Sequence, residues 1–310
     1  MGHHVRYKEL QLPQLRSFCL AATEGNFTSA AKVLGLSAST VWQQVLALER
    51  QLKARLLRRR GRAVELTDEG RRLLELIQPH VAGLDSLDRL FTAARAGMSQ
   101  ELVVASGAYL HAHHLPEPVR RFRADWPAVR VVLRVAAWSA LHRLIERGEA
   151  DVAVMACDPG TPRSPYLDYE HLFDERLTVL LADRHPLARK KRVRPEELVE
   201  HPLILPPDGG ADRKALDRLF RKHNLADRVR VAVISSLVDV TREYVAAGVG
   251  VAVMYVTDAV ARAGGPGLRL RPLDAETEPL PIEMAVRRGA HLPEHVEAFR
   301  RAVRECLSAT

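Results

Sequence analysis

The fold is decided between residues 26 and 49, where the chain reads NFTSAAKVLGLSASTVWQQVLALE. This stretch predicts two short helices joined by a tight turn. Thr28 can cap the first helix, and Gly35 can end it because glycine adopts the left-handed backbone conformation without strain. Ser37 or Ser39 can cap the second helix. The apolar residues of the second helix recur at helical spacing, as a buried face requires: Val41, Val45, Leu48 and Leu52.

Small polar side chains occupy the first exposed turns of the second helix: Ser39, Thr40, Gln43 and Gln44. Hydroxyl and amide groups can hydrogen-bond base edges in the major groove of DNA, and Ser37 joins them as a candidate.

Seven basic residues, with no acid among them, follow these polar side chains in the sequence: Arg50, Lys53, Arg55, Arg58, Arg59, Arg60 and Arg62. We expect Arg50 to contact DNA and the arginines at 58, 59, 60 and 62 to form a phosphate-binding wing. The sequence therefore predicts a winged helix-turn-helix at 1–66.

Charge and composition support a DNA-binding amino end. The 310 residues carry a net charge of +8, and residues 1–97 hold 15 lysines and arginines against nine acids, so most of the excess lies there. Such an asymmetry favours a polyanionic partner for one end of the chain.

No apolar run approaches the roughly 18 residues that a membrane span needs, and the amino terminus lacks the apolar core of a signal peptide. The three cysteines lie far apart without metal-ligand spacing. We expect a cytoplasmic protein without membrane association.

A second start signal lies at residues 66–70, where Thr67 can cap a helix and two acids favour its positive end. The helix that follows has apolar residues near the a and d positions of a heptad: Leu73, Leu74, Ile77, Val81, Leu84, Leu87, Leu90 and Phe91. We expect it to pair with its copy in a second subunit, although an ordinary core helix is the alternative. Pro79 should kink it. Residues 67–97 thus form a dimerising linker helix and hinge.

Beyond residue 101 the pattern changes to strands alternating with helices, which indicates α/β layers with mainly parallel strands. Helices are expected at about 115–125 and 139–148. The predicted strands are 102–105, 129–135, 151–155, 177–182, 202–205, 229–233, 249–254 and 282–286.

The chain resembles the LysR-type transcriptional regulators over essentially its whole length. The matching segments are Phe27–Ala31, Leu36–Ser37, Leu48–Glu49, Leu66–Gly70, Gly148–Ala153, His185–Ala188 and Val245–Ala252. Ser39 and Trp42 depart from the proline and serine that the family usually carries in its recognition helix. Trp42 either packs inward or reaches the sugar-phosphate edge.

The resemblance implies an α+β multidomain fold: a winged helix-turn-helix, a long linker helix and a two-lobed α/β effector-binding domain like the periplasmic binding proteins. The effector domain spans 98–310, with lobe one at about 98–170 and 271–310 and lobe two at about 171–270. Such a protein binds promoter DNA as a homodimer or homotetramer, and RNA polymerase is a further candidate partner. A small molecule in the cleft between the lobes would modulate binding.

Candidate effector-binding residues lie at strand-to-helix turns, where helix N-terminal amides can hold an anion. They are Ser106, Gly107, Tyr109, Trp138, Ser139, Asp208, Ser235, Ser236 and Tyr255. Hydroxyl and amide donors favour a small carboxylate or similar anion. Trp138 and Tyr109 could instead form the walls of an aromatic site.

Other functions have weaker sequence support. No nucleophile elbow, phosphate loop or zinc-protease motif is present, so we expect no enzyme and no cofactor. His111 and His114 have a spacing found in helical metal pairs, but no acid or cysteine cluster accompanies them, and no metal is expected. An architectural DNA-binding protein with a vestigial effector pocket is the alternative, and a solute-binding protein would lack the basic helical unit.

Overall fold

The computed structural model describes residues 10–61, 63–95, 101–257 and 267–307. Contacts between residues divide the chain into two compact units. The first unit is Met1–Met98 with Arg287–Leu292, and the second is Ser99–Val286 with Pro293–Thr310. None of the described helices is long and apolar enough to cross a membrane.

The first unit contains the predicted helix-turn-helix and wing. Its elements are α1 Leu12–Glu24, α2 Phe27–Leu34, α3 Ala38–Leu52, β1 Leu57–Arg60, β2 Ala63–Leu66 and α4 Asp68–Arg95. Phe18, Val41 and Leu48 are fully buried, so α1 and α3 share one apolar core. The strands β1 and β2 pair antiparallel around the turn at Gly61. This hairpin is the wing.

The ends of α2 and α3 are determined by short polar side chains and one glycine. Asn26 caps α2, with its Oδ1 accepting a hydrogen bond from the Ser29 amide at 2.7 Å. The prediction of Thr28 as the cap is wrong because Thr28 already lies within the helix. Gly35 ends α2 at φ +65°, as predicted. Ser37 is the cap of α3, and its Oγ accepts from the Thr40 amide at 3.0 Å.

Helix α4 begins as predicted and carries an exposed apolar stripe. The Thr67 Oγ1 accepts a hydrogen bond from the Gly70 amide at 3.0 Å, and Pro79 lies inside the helix. Its buried face includes Leu74 and Val81. Large apolar side chains on another face are 48 to 68% exposed: Leu76, Leu84, Leu87 and Phe91.

The remaining elements build an α/β unit. The strands are β3 Glu101–Ser106, β4 Arg130–Val135, β5 Val152–Ala156, β6 Leu167–Ala182, β7 Leu203–Leu205, β8 Val231–Ile234, β9 Val251–Val256, β10 Leu268–Pro272 and β11 Leu280–Arg287. The helices are α5 Ala108–His113, α6 Pro116–Asp125, α7 Trp138–Glu146, α8 Pro195–Leu198, α9 Ala211–Lys222, α10 Val238–Ala246 and α11 Glu294–Leu307. The described strands form one sheet in the order β4-β3-β5-β11-β6-β9-β7-β8, with β10 paired to β6.

The sheet is mixed rather than mainly parallel. Parallel pairs join β3 to β4 and β5 and join β7 to β8 and β9. The pairs β11–β5, β6–β9 and β10–β6 are antiparallel. The prediction missed β10 and the first ten residues of β6, because charged residues interrupt the apolar pattern there.

Two lobes meet along β6. Lobe one carries β3, β4, β5 and β11, and its core includes Ile145 and Met155. Lobe two carries β7 to β10 and has an apolar core on each face of its strands. Leu273 and Leu280 belong to one of these lobe-two cores, so lobe two extends past the expected boundary at residue 270.

Candidate functional site

The exposed face of α3 presents a small set of polar side chains. Ser39 and Gln43 are exposed and lie one helical turn apart on the same face. Thr40 is half-buried, and its Oγ1 lies 2.8 Å from the Oγ of Ser37, which is already the helix cap. Three of the predicted base-reading residues are therefore exposed to solvent, namely Ser37, Ser39 and Gln43.

Gln44 makes a contact that the sequence did not predict. Its side-chain oxygen accepts a hydrogen bond from the hydroxyl of Ser17, which is fully buried on α1. This bond gives a buried polar group its partner and holds α3 against α1. Gln44 thus differs from the prediction, because its carbonyl oxygen is directed to α1 rather than to solvent.

The wing places its arginines on alternating sides of β1. Arg58 Nε lies 3.0 Å and Arg60 Nη1 3.3 Å from the carboxylate of Glu65 on β2. Hydrogen bonds from Arg60 and Arg58 lower the pKa of Glu65. Both arginine side chains remain well exposed, at 69 and 83%.

The other arginines predicted to bind DNA have separate positions. Arg59 projects from the opposite side of β1 and lines a hollow beside Trp42. Arg50 is exposed, and its Nε donates to the Leu46 carbonyl at 3.2 Å within α3. Arg62 lies outside the described residues.

Glu49 anchors the wing to α3 and was not predicted to do so. Its side chain is only 7% exposed, and Oε1 accepts hydrogen bonds from the amides of Leu56 at 2.8 Å and Leu57 at 3.1 Å. Arg55 Nη1 lies 3.5 Å from Oε2. The carboxylate therefore fixes the turn that leads from α3 into β1. Local helical periodicity carries no signal for a bond across seven residues.

Among the described helices of the second unit, three of at least nine residues begin shortly after parallel strands. These are α7 after β4, α9 after β7 and α10 after β8. No described side chain caps any of the three. Backbone amides at such helix starts are suited to bind an anion. Residues Trp138 and Ser139 begin α7, and their side chains lie outside the described part of the structure.

The other predicted effector residues do not all face an open site. The Ser106 hydroxyl is buried and donates to the Val154 carbonyl at 2.6 Å. The Tyr255 hydroxyl donates to the Glu278 carbonyl at 3.2 Å, and its ring packs in a lobe-two core. Asp208 pairs with Arg213 at 2.8 Å. These contacts satisfy polar groups within the fold.

The serine and glycine predictions fall at turns. Gly107 is the N-cap of α5. The Ser235 Oγ donates to the Leu237 carbonyl at 3.2 Å just before α10, and Ser236 is exposed between them. These three residues lie just beyond the ends of β3 and β8.

A buried polar cluster joins the two lobes, and sequence reasoning missed most of it. The ring of His114 stacks on Phe173 at a centroid distance of 4.9 Å, and its Nε2 lies 3.5 Å from Glu175 on β6. Burial raises the pKa of Glu175, against the opposing effect of His114. Tyr109 of α5 packs against a lobe-two core. Burial also raises the pKa of the Tyr109 phenol.

The neighbouring histidines have different partners. His113 Nε2 lies 3.3 Å from Asp239 on α10, which is a second link between the lobes. His111 Nε2 donates to the Arg134 carbonyl at 3.2 Å. Burial lowers the pKa of His111. Within the described residues, no three His, Cys, Asp or Glu side chains are grouped as metal ligands.

Comparison with known families identifies the two units. Residues 12–71 match the family model of bacterial regulatory helix-turn-helix proteins of the lysR family. Residues 95–308 match the model of the LysR substrate binding domain. This second match alone covers more than half of the chain. The chain belongs to the LysR family. LysR proteins of this architecture are transcriptional regulators that combine a DNA-binding unit with an effector-binding domain.

Relatives of this LysR protein are transcriptional regulators. A probable nitrogen assimilation transcriptional activator of Synechococcus elongatus is 27% identical over 304 residues, covering 97% of this chain and 96% of the relative. The HTH-type transcriptional activator CmpR of Synechocystis is 25% identical, covering 88% and 87%. The regulator SsuR of Burkholderia cenocepacia is 29% identical, covering 74% and 73%.

Solved structures support the fold of this LysR chain. Full-length CbnR in complex with its target DNA is 23% identical, with a TM-score of 0.54 and coverage of 96% of this chain and 100% of CbnR. A full-length OxyR variant from Pseudomonas aeruginosa is 22% identical, with a TM-score of 0.58 and coverage of 97% and 96%. The effector domain of QuiR in complex with shikimate is 15% identical, with a TM-score of 0.57 and coverage of 68% and 99%.

Proposed function

We propose that this LysR regulator binds promoter DNA by placing α3 in the major groove and the wing on the adjacent backbone, without a catalytic role. The observation that carries the proposal is the pairing of a polar α3 face with an exposed basic wing. Ser39 and Gln43 can hydrogen-bond base edges. Arg58 and Arg60 reach phosphates once they leave Glu65. Glu49 holds the two parts in a constant relative position.

The Arg60→Ala variant tests the wing. We expect it to weaken binding to all duplexes alike, because phosphate contacts carry no sequence information. The slope of log affinity against log salt should become shallower by about one for each subunit bound. The measurement is fluorescence anisotropy with duplexes selected by the wild-type protein from a random library.

The Glu65→Gln variant is the matched control. It removes the carboxylate that competes with phosphate for Arg58 and Arg60, so binding at low salt should tighten. An unchanged salt slope in Arg60→Ala would contradict the role of the wing.

We infer that the protein self-associates through α4. Leu76, Leu84, Leu87 and Phe91 fall within about 80° of one another around the helix at about 100° per residue. Such a stripe is typical of a helix that packs against its copy. Both edge strands of the sheet also expose apolar residues, which supplies a second surface for a tetramer: Leu133, Val135, Val231 and Ile234.

The Leu87→Glu variant tests the α4 interface. Each buried leucine contributes about 1.5 kcal/mol or more, so a symmetric interface that loses two should weaken more than about a hundredfold. Sedimentation equilibrium should show smaller species than the wild type. Glu75→Gln, an exposed change on the same helix, should leave the mass unchanged. A Leu87→Glu protein with wild-type mass would exclude this interface.

We further propose that a small anion is the effector. The uncapped starts of α7, α9 and α10 lie at the carboxyl ends of parallel strands, where ligands of open α/β sheets bind. The effector domain of QuiR, which shares the fold, is in complex with shikimate, which is an anion. We expect binding to modulate the affinity of the helix-turn-helix for promoter DNA.

Thermal unfolding with a panel of ligands tests the effector class. Small carboxylates, a sulfonate and inorganic phosphate would each be compared with a neutral amide or ester of the same shape. An anion present at about a hundredfold excess over its Kd stabilises the protein by about 2.7 kcal/mol. This should raise Tm by roughly 5–10 °C. Stabilisation by neutral or cationic compounds alone would contradict an anionic effector.

A further inference from the structure

Trp42 is a large apolar side chain on the exposed face of the recognition helix. It is the fifth residue of α3 and is 41% exposed. It lies three residues after Ser39 and directly before Gln43, the two exposed polar residues on this part of the helix. The amino-terminal turns of a recognition helix are those that approach base edges. The indole therefore lies among the candidate reading residues.

The indole also borders the wing. A hollow of about 860 Å³ is lined by residues of α2, α3 and the wing, including Ser39, Trp42 and Arg59. A second hollow of about 400 Å³ is lined by Phe27, Trp42 and Arg59 among others. Trp42 borders both hollows, so open space adjoins its ring beside the wing, and 41% of its surface faces solvent. A rigid, partly exposed aromatic ring loses little conformational entropy on binding.

We propose that Trp42 is a specificity-determining residue that reads thymine through its 5-methyl group. This assignment rests on the proposed docking of α3 in the major groove. The thymine methyl is the apolar feature that the major groove offers, and it is recognised by apolar side chains. The indole has one polar hydrogen, so it is poorly suited to hold phosphates, and Arg58 and Arg60 already supply guanidinium groups for that purpose.

The experiment compares full-length wild-type, Trp42→Ser and Trp42→Phe proteins. Each selects duplexes from a random library, and affinities are then measured for the wild-type consensus with single thymines replaced by uracil, which removes only the methyl group. We expect one thymine in each half-site at which uracil weakens wild-type binding about fourfold, the value for one buried methyl group. Trp42→Ser should lose this discrimination and select other bases there. Trp42→Phe should retain it.

The matched control is Val33→Ser on α2, where the wild-type side chain is 44% exposed. It removes exposed apolar surface from the same unit and should keep the wild-type consensus and uracil response. An identical uracil response in wild type and Trp42→Ser would overturn the assignment, as would a uniform affinity loss on all sequences. If Trp42→Ser fails to fold, loss of the uracil response in folded Trp42→Phe would likewise overturn it. Failure of the wild type to select any duplex would contradict the docking of α3 itself.

Discussion

Glu49→Ala is expected to destabilise the DNA-binding unit by about 2–6 kcal/mol. The substitution leaves the amides of Leu56 and Leu57 without their carboxylate acceptor, and both residues are buried. An unsatisfied buried donor costs about 1–3 kcal/mol. Because the same carboxylate positions the wing, Glu49→Ala should lower both the free energy of unfolding and the affinity for DNA duplexes. Urea unfolding followed by circular dichroism, together with anisotropy on selected duplexes, measures both effects.

Two variants distinguish the loss of the buried Glu49 hydrogen bonds from the loss of a negative charge. Glu49→Gln retains an acceptor oxygen and should lose less stability than Glu49→Ala. Glu65→Gln removes a wing carboxylate that is 34% exposed but accepts no backbone amide of the described residues, and it should change the unfolding free energy much less than Glu49→Ala. A Glu49→Ala protein that unfolds at the wild-type urea concentration would show that the carboxylate does not hold the wing.

Gly70→Ala is the second large effect that we expect. A Cβ atom at this position would lie 2.0 Å from the carbonyl oxygen of Leu56 and 2.8 Å from its carbonyl carbon. The same oxygen accepts the Thr67 amide at 3.0 Å, so a backbone shift that relieves the clash would weaken the start of α4. Overpacking of this kind costs about 1–3 kcal/mol, and backbone contact places this site at the upper end.

Gly107→Ala is the matched control for Gly70→Ala. At Gly107 an added Cβ meets no atom within 4 Å, and φ is −68°. Its unfolding free energy and duplex affinity should stay close to wild type. Equal stability of the two alanine variants would contradict the close approach of the wing and α4.

The helix-turn-helix was predictable because its signals are local. Gly35, Ser37 and Thr67 act within four residues of their own position, and the structure places them at the expected helix ends. The error at α2 arose because Asn26 and Thr28 are both good caps, and pattern alone does not choose between neighbours. The pairs β6–β9, β10–β6 and β11–β5 are antiparallel because the chain crosses between the lobes there. The apolar pattern of a strand does not indicate its direction in the sheet.

The candidate sites were less predictable, for a different physical reason. A helical wheel places Gln44 on the polar face of α3. The buried Ser17 hydroxyl requires a hydrogen-bond acceptor, however, and it donates to the Gln44 side-chain oxygen. His114 and Glu175 are far apart in the sequence, and their contact depends on how β6 crosses between the lobes. Glu49 likewise binds amides that helical periodicity does not bring next to it, at Leu56 and Leu57. Long-range polar contacts of this kind leave no periodic trace in the sequence.

The salt dependence of duplex binding by the full-length wild-type protein tests the central claim most directly. Arg58 and Arg60 in each of two subunits predict about four phosphate contacts and a log–log slope of about −3.6. Selected duplexes should therefore bind about a hundredfold more weakly at about 200 mM salt than at about 50 mM. No binding to any duplex at low ionic strength, or binding that is indifferent to salt, would contradict a basic wing that docks on the DNA backbone.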